Sequence, residues 1–106
     1  MILLINYFNF DRKSVMSCKV NVQYCGGWGY KRFYVALERA LMDEFDDSEL
    51  VVTPQEDPGT TGNFEITIVN TGELIHSKKT MSQGRCETQE ETQAVVAKIR
   101  AFLDSK

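Results

Sequence analysis

The stretch VQYCGGWGYKRF, Val22–Phe33, marks a change from one structural period to another. Before it, apolar and polar residues alternate from Lys19 to Tyr24, which is typical of a strand with one face on a core. After it, apolar residues recur every three or four positions and so lie along one side of a helix: Tyr30, Phe33, Tyr34, Leu37, Leu41 and Phe45. The pattern predicts a strand, a glycine-rich turn and a helix from Tyr30 to near Asp46.

The rest of the chain predicts three more strands and a second helix. Residues 49–53 favour a short strand, and 54–62 a loop, because two prolines and two glycines interrupt regular structure. Residues 63–70 alternate again, and the turn sequence NTGE leads into 74–78, so these two segments predict a hairpin. Thr88 and Glu91 have capping-box spacing before a helix whose apolar stripe is Val95, Ile99, Phe102 and Leu103.

The predicted order is therefore βαβββα, an α/β class. A right-handed βαβ unit would make the first two strands parallel. The hairpin would then complete a four-stranded mixed sheet with two helices, the plan of a minimal thioredoxin-like fold. The main competitor, a ferredoxin-like sandwich, needs a strand after the last helix, and none follows here.

Length and charge narrow the classes of function. The 106 residues predict one domain, and the net charge of -3 argues against a nucleic-acid surface. The opening MILLINYFNF is ten residues, too short to cross a bilayer, which takes about 20 residues. It also lacks the basic region and cleavage site of a secretory signal. We expect residues 1–15 to be an extension outside the fold, residues 16–106 to be the domain, and the partner to be a small molecule or a protein rather than a membrane.

The three cysteines, Cys18, Cys25 and Cys86, form an odd and sparse set that favours a reducing compartment. Cys18 and Cys25 cannot easily bridge, because seven extended residues span about 23 Å, whereas a disulfide needs its Cα atoms within about 7 Å. Cys86 precedes the second helix, at the end of the sheet where Cys25 is expected. It could be a resolving thiol for Cys25 or an incidental cysteine.

Cys25 ends the first strand just before three glycines, and we expect it at the start of the helix. There the unpaired N–H groups and the helix dipole would favour a thiolate. A structural thiol is the alternative. A dithiol motif would need its second thiol at position 28, where Trp28 stands, and indole cannot form a disulfide.

Two other kinds of site are disfavoured. The glycines match neither GxGxxG nor GK[ST], so no standard phosphate loop is predicted. His76 is the single histidine and lies within a predicted strand, and the cysteines lack zinc spacing. We therefore expect no metal site and no bound cofactor.

From Met16 onward the chain resembles the selenoprotein W/T/H redox family. The resemblance rests on CKVNVQYCGGWGYKRF, on Pro58 with TGNFEI, and on ELIHSKK. In that family the turn reads Cys-x-x-Sec, with selenocysteine at the position that Trp28 holds here. Selenocysteine is encoded by UGA, which some genetic codes read as tryptophan. The leading hypothesis is that Trp28 replaces a native selenocysteine, and a true tryptophan-bearing paralogue is the alternative.

The resemblance implies a cytoplasmic, glutathione-dependent antioxidant that acts through Cys25 and position 28, with glutathione as reductant and 14-3-3 adaptor proteins as possible partners. With Trp28, such an oxidoreductase would be impaired. Thr53 replaces a cysteine that some relatives carry, so glutathionylation there is not expected. A redox-sensitive interaction module without turnover is the second hypothesis, because an exposed indole beside a cysteine suits protein contact.

Overall fold

The computed structural model describes residues 17–105. Its six elements are β1 (Cys18–Tyr24), α1 (Tyr30–Glu44), β2 (Leu50–Glu56), β3 (Phe64–Ile68), β4 (Glu73–Ser77) and α2 (Gln89–Asp104). The predicted order βαβββα is confirmed. The expected extension, residues 1–15, lies outside the described residues, so its role stays a prediction.

The four strands form one mixed sheet in the order β2-β1-β3-β4. β1 is parallel to β2 and antiparallel to β3, and β3 is antiparallel to β4. The predicted mixed sheet with two helices is therefore confirmed. β1 lies at the centre of the sheet, so its last residues are bordered by β2 on one side and β3 on the other.

The strand β2 is longer than the sequence predicted. It continues through Pro54 to Glu56, in register with β1 up to Tyr24, whereas the proline led us to expect a loop from residue 54. Proline is tolerated because β2 is an edge strand, and the ladder bond that proline cannot donate is not needed on the open side. The pairing continues one step further, since the Asp57 amide donates to the Tyr24 carbonyl at 2.9 Å. The extension brings Asp57 to the turn that follows β1.

Both helices pack on one face of the sheet. Each contacts β1, and they contact each other. The buried helix residues are Tyr30, Tyr34, Leu37 and Leu41 of α1 and Val95, Val96 and Ile99 of α2. Phe33 of the predicted α1 stripe and Phe102 and Leu103 of the α2 stripe are only partly buried. The helical period thus identified the core face, but it overestimated the burial of its edges.

The predicted capping box at α2 forms only in part. Thr88 is the N-cap, and its hydroxyl accepts a hydrogen bond from the Glu91 amide at 3.2 Å. The Glu91 carboxylate instead accepts from the amides of Gly84, at 2.7 Å, and Cys86, at 3.2 Å. Glu91 therefore holds the loop before α2 rather than the cap residue.

Candidate functional site

The turn between β1 and α1 carries the predicted redox residues. α1 begins at Tyr30 with Gly29 as its N-cap, so Cys25 lies five residues before the helix. The prediction that Cys25 lies at the start of the helix is therefore wrong. The Tyr30 amide donates to the Gly27 carbonyl at 3.3 Å, and the two residues between them both have positive φ, 58° at Trp28 and 72° at Gly29. That geometry is typical of a type I′ turn. It costs glycine little but tryptophan roughly 1 kcal/mol.

The Cys25 side chain is buried, with 1% of its surface exposed. Its sulfur accepts hydrogen bonds from the Gly27 and Thr61 amides, each at 3.3 Å. Burial by itself raises the pKa of the Cys25 thiol, but the N–H groups of Gly62, Gly27 and Thr61, together with the Thr61 hydroxyl, outweigh it, and the net pKa lies below the ordinary value. The thiolate-stabilising donors thus come from the turn and from the loop after β2, not from α1.

Two glycines allow that loop to close on the turn. The Gly26 amide donates to the Gly59 carbonyl at 2.9 Å. A Cβ at Gly26 would lie 2.1 Å from the Asp57 carbonyl oxygen, and one at Gly27 would lie 2.4 Å from the Thr60 hydroxyl oxygen. Real contacts are never that short, so glycine is required at residue 26 for the close backbone approach.

Residue 28 has the opposite environment to Cys25. The Trp28 side chain is 70% exposed. Its ring reaches Gly62, where an added Cβ would meet the indole at 3.7 Å, and its centroid lies 6.4 Å from that of Tyr30. The two ends of the predicted motif are therefore a buried sulfur and a solvent-facing side chain.

A buried carboxylate beside the turn was missed by sequence reasoning. Asp57 is 7% exposed and accepts hydrogen bonds from the Thr61 hydroxyl at 2.5 Å, Gln23 Nε2 at 2.8 Å and Asn63 Nδ2 at 3.0 Å. The Thr61 and Gln23 bonds outweigh burial, so the pKa of Asp57 lies below its usual value. We call these four residues the Asp57 network. No motif marks it, because it depends on β2 continuing past Pro54.

Cys86 lies in the loop before α2, at the same end of the sheet as Cys25. Its sulfur is 3.8 Å from both ring nitrogens of His76, which is itself 1% exposed and bonded through Nε2 to the Gly84 carbonyl at 2.8 Å. Burial, and then the charge of Glu91, raises the pKa of Cys86 to about 12. All three cysteines are free thiols, so a resolving role for Cys86 stays a prediction.

Arg85 anchors the Cys86 loop to the start of α1. Its guanidinium lies 4.3 Å from the Phe33 ring centroid and 5.2 Å from that of Tyr30, within the range of cation–π attraction. It also pairs with Glu87 at 2.8 Å. No sequence pattern marks Arg85, because its aromatic partners are more than 50 residues away along the chain.

Within residues 17–105 no group of three His, Cys, Asp or Glu side chains could hold a metal ion. Over the same range, no helix is both long and apolar enough to cross a membrane.

The mixed sheet, its two helices and the cysteine turn at the end of β1 define a thioredoxin-like protein of a redox-associated class. A solved selenoprotein W-related protein from Vibrio cholerae has this fold, with a TM-score of 0.63 at 21% identity, over 82% of this chain and 98% of that one. Residues 19–101 match the Rdx family, and the chain belongs to it.

Selenoproteins W are among the proteins of known sequence to which the chain is similar. The chain is 40% identical to selenoprotein W of Macaca mulatta over 88 residues, which is 83% of this chain and 97% of that protein. It is 45% identical to selenoprotein W of Danio rerio over 64 residues, 60% of this chain and 71% of that one. The resemblance to the selenoprotein W family is thus confirmed.

Proposed function

We propose that this protein is a small glutathione-dependent thiol or selenol redox protein that acts through residue 28 and Cys25. The observation that carries the proposal is the contrast in exposure, 70% at residue 28 and 1% at Cys25. A nucleophile at residue 28 would meet an oxidised substrate first. Cys25, buried and favoured as a thiolate, would then act within the protein.

The proposed cycle balances in three steps. A selenol or thiol at residue 28 attacks a peroxide oxygen, which gives a selenenic or sulfenic acid and releases water from hydrogen peroxide. The Cys25 sulfur then displaces a second water molecule and forms a bond to residue 28. Two molecules of glutathione reduce that bond, restore both groups and leave as glutathione disulfide.

Trp28 cannot perform the first step, because indole is neither a nucleophile toward peroxide nor a partner in a disulfide. We therefore propose that the natural protein carries selenocysteine at residue 28 and that the chain with Trp28 is an impaired form. The selenoprotein W relatives support this proposal. Mass spectrometry of the natural protein tests it, since selenium or tryptophan at residue 28 gives a different peptide mass.

The variant Trp28→Cys tests the proposed cycle. We expect it to consume glutathione in the presence of hydrogen peroxide and, when oxidised, to lose the mass of two hydrogens through a Cys25–residue 28 disulfide. Trp28→Ser is the matched control, because serine is similar in size but cannot form that bond. The double variant Trp28→Cys with Cys25→Ser should lose the internal disulfide. A Trp28→Cys protein that shows neither turnover nor the bond contradicts the proposal.

The cellular setting is proposed from family membership. We propose a cytoplasmic protein that uses the glutathione pool and binds 14-3-3 adaptor proteins. Purified 14-3-3 tested by isothermal titration against the folded chain gives the direct measurement for the partner. No heat of binding over the micromolar range would contradict that part of the proposal without affecting the redox cycle.

A redox-sensitive interaction module is the second candidate. It is favoured by the indole of Trp28, which is 70% exposed, because tryptophan is enriched among residues that dominate protein interfaces. Cellular partners captured by the Trp28 form and lost in Trp28→Cys would favour the module. Turnover by Trp28→Cys, with no partner captured by the Trp28 form, would favour the redox protein.

A further inference from the structure

Two residues of the Asp57 network, Thr61 and Asn63, also bind Cys25. Thr61 donates its hydroxyl proton to Asp57 and its amide proton to the Cys25 sulfur. Asn63 donates its side-chain amide to Asp57, and its carbonyl accepts from the Cys25 amide at 2.9 Å. The residues that bind Asp57 through their side chains therefore hold Cys25 through their backbone.

The buried carboxylate has no hydrogen atom to give when ionised, so it acts only as an acceptor. It takes donors from three places in the chain: β1, the loop after β2, and the residue before β3. These are Gln23, Thr61 and Asn63. The Thr61 hydroxyl donates to Asp57 at 2.5 Å and also lies close enough to the Cys25 sulfur to lower the pKa of that thiol, while the Thr61 amide donates to the sulfur at 3.3 Å.

We propose that Asp57 is a positioning residue: by fixing Thr61 and Asn63 it aims the Thr61 amide at the Cys25 sulfur and so sets the reactivity of that thiol. Only the biological use of the Cys25 thiol rests on the proposed function. The positioning itself is measurable on the chain with Trp28, without any turnover.

Two effects of Asp57 on Cys25 have opposite signs. A negative charge near a thiol disfavours the thiolate, so removing the charge alone would lower the pKa of Cys25. Removing the positioning would turn the Thr61 amide from the sulfur and raise that pKa. Lys79 also acts on Asp57 by its charge, and Tyr24, whose carbonyl accepts from the Asp57 amide, has a pKa that burial and then Glu56 raise.

The thiolate of Cys25 can be titrated separately from the other cysteines. Burial raises the pKa of Cys18 to about 11, and burial together with Glu91 raises that of Cys86 to about 12. Thiolate absorbance that grows below about pH 9 therefore comes from Cys25. Subtracting the same titration of Cys25→Ser removes the remaining contribution of the other thiols and the tyrosines.

We expect Asp57→Asn to raise the pKa of Cys25, with about tenfold less thiolate at a fixed pH, a shift of about one unit. Asparagine keeps the size of the side chain but presents an NH₂ group to donors. Glu56→Gln is the matched control, because it removes an exposed carboxylate one residue away. A pKa that falls or stays unchanged in a folded Asp57→Asn protein overturns the proposal, and so does an equal rise in Glu56→Gln.

Thr61 provides a second test that holds even if Asp57→Asn fails to fold. Thr61→Val removes both the hydroxyl bond to Asp57 and the hydroxyl's own effect on the Cys25 thiol but keeps the amide and the shape, and we expect the same direction of shift. Thr61→Ser keeps the hydroxyl and should restore the wild-type titration. Equal pKa values for the valine and serine variants would overturn the positioning role. If the Asp57 and Thr61 variants show these pKa shifts but Trp28→Cys shows no turnover, only the proposed function is contradicted.

Discussion

Cys25 and Cys86 lie in two loops at the same end of the sheet, and both are buried. Their thiols nevertheless have opposite acidities. Amide N–H groups and the Thr61 hydroxyl around the Cys25 sulfur overcome burial and lower its pKa, whereas burial and the Glu91 charge raise the pKa of Cys86 to about 12. The comparison shows that burial does not decide the chemistry of a thiol. The polar groups that face the sulfur decide it.

The two thiols differ in acidity because different groups pack against the loops that carry them. Gly26 and Gly27 allow the loop after β2 to approach the Cys25 turn closely, so its amides reach the sulfur. In the other loop the Cys86 amide donates to Glu91, and the carboxylate is therefore held close to Cys86. The surroundings of Cys25 favour an ionised thiol, whereas those of Cys86 favour a thiol that stays protonated beside His76.

The largest expected effect comes from breaking the close approach at Cys25. Gly26→Ala would place a Cβ 2.1 Å from the Asp57 carbonyl oxygen, and backbone atoms on both sides must move. We expect the free energy of unfolding to fall by about 3 kcal/mol, typical of severe overpacking. Denaturant unfolding followed by circular dichroism measures it.

The matched control is Gly59→Ala, in the loop that packs on this turn. A Cβ there would meet nothing within 4 Å, so the stability should change by less than about 0.5 kcal/mol. If both alanine variants were equally stable, the close approach would not be what holds the Cys25 turn.

A smaller effect is expected from the strained positions that both loops carry. Trp28 and Cys86 have φ values of 58° and 56°, in the left-handed region that favours glycine. We expect Trp28→Gly to be about 1 kcal/mol more stable than Trp28→Ala, since both remove the indole and differ mainly in the Cβ. Thermal unfolding of the pair measures the difference. Equal stability of the alanine and glycine variants would indicate that the turn relaxes when the indole is removed.

Near neutral pH the smallest effect is on the pH dependence of stability, and its sign differs between the two loops. The pKa of Cys25 is lower in the folded state than in the unfolded one, so its contribution is complete above the unfolded pKa of about 8.5. That contribution is lost as the pH falls through the folded pKa. For Cys86 the folded pKa is the higher one, so stability falls as the pH rises above about 8.5 toward about 12.

Unfolding of Cys25→Ser and Cys86→Ser across this range checks the signs. Relative to wild type, Cys25→Ser should lose more stability as the pH rises to about 8.5. Relative to wild type, Cys86→Ser should recover stability above about pH 8.5. Parallel curves for the two variants would mean that the thiols do not differ in acidity, and the comparison would fail.

Much of the fold was predictable because its signals are local. The alternation before Tyr24 and the helical period after Tyr30 predicted β1, α1 and the turn between them, and all three are confirmed. The hairpin was predicted as well, although β3 is shorter than expected and β4 begins and ends one residue earlier than expected. The end of β2 was predicted wrongly at Pro54, because tolerance of a proline depends on the open side of an edge strand.

The sequence by itself determined which residues carry the candidate chemistry, since a cysteine before glycines and a tryptophan in the family's selenocysteine position can be read along the chain. Only the tertiary structure decided what surrounds Cys25. Asp57, Thr61 and Asn63 are more than 30 positions from Cys25 along the chain, and strand register brings them to the turn, where the Thr61 amide reaches the sulfur. The acidity of a buried thiol depends on those neighbours, and a linear pattern does not encode their distances.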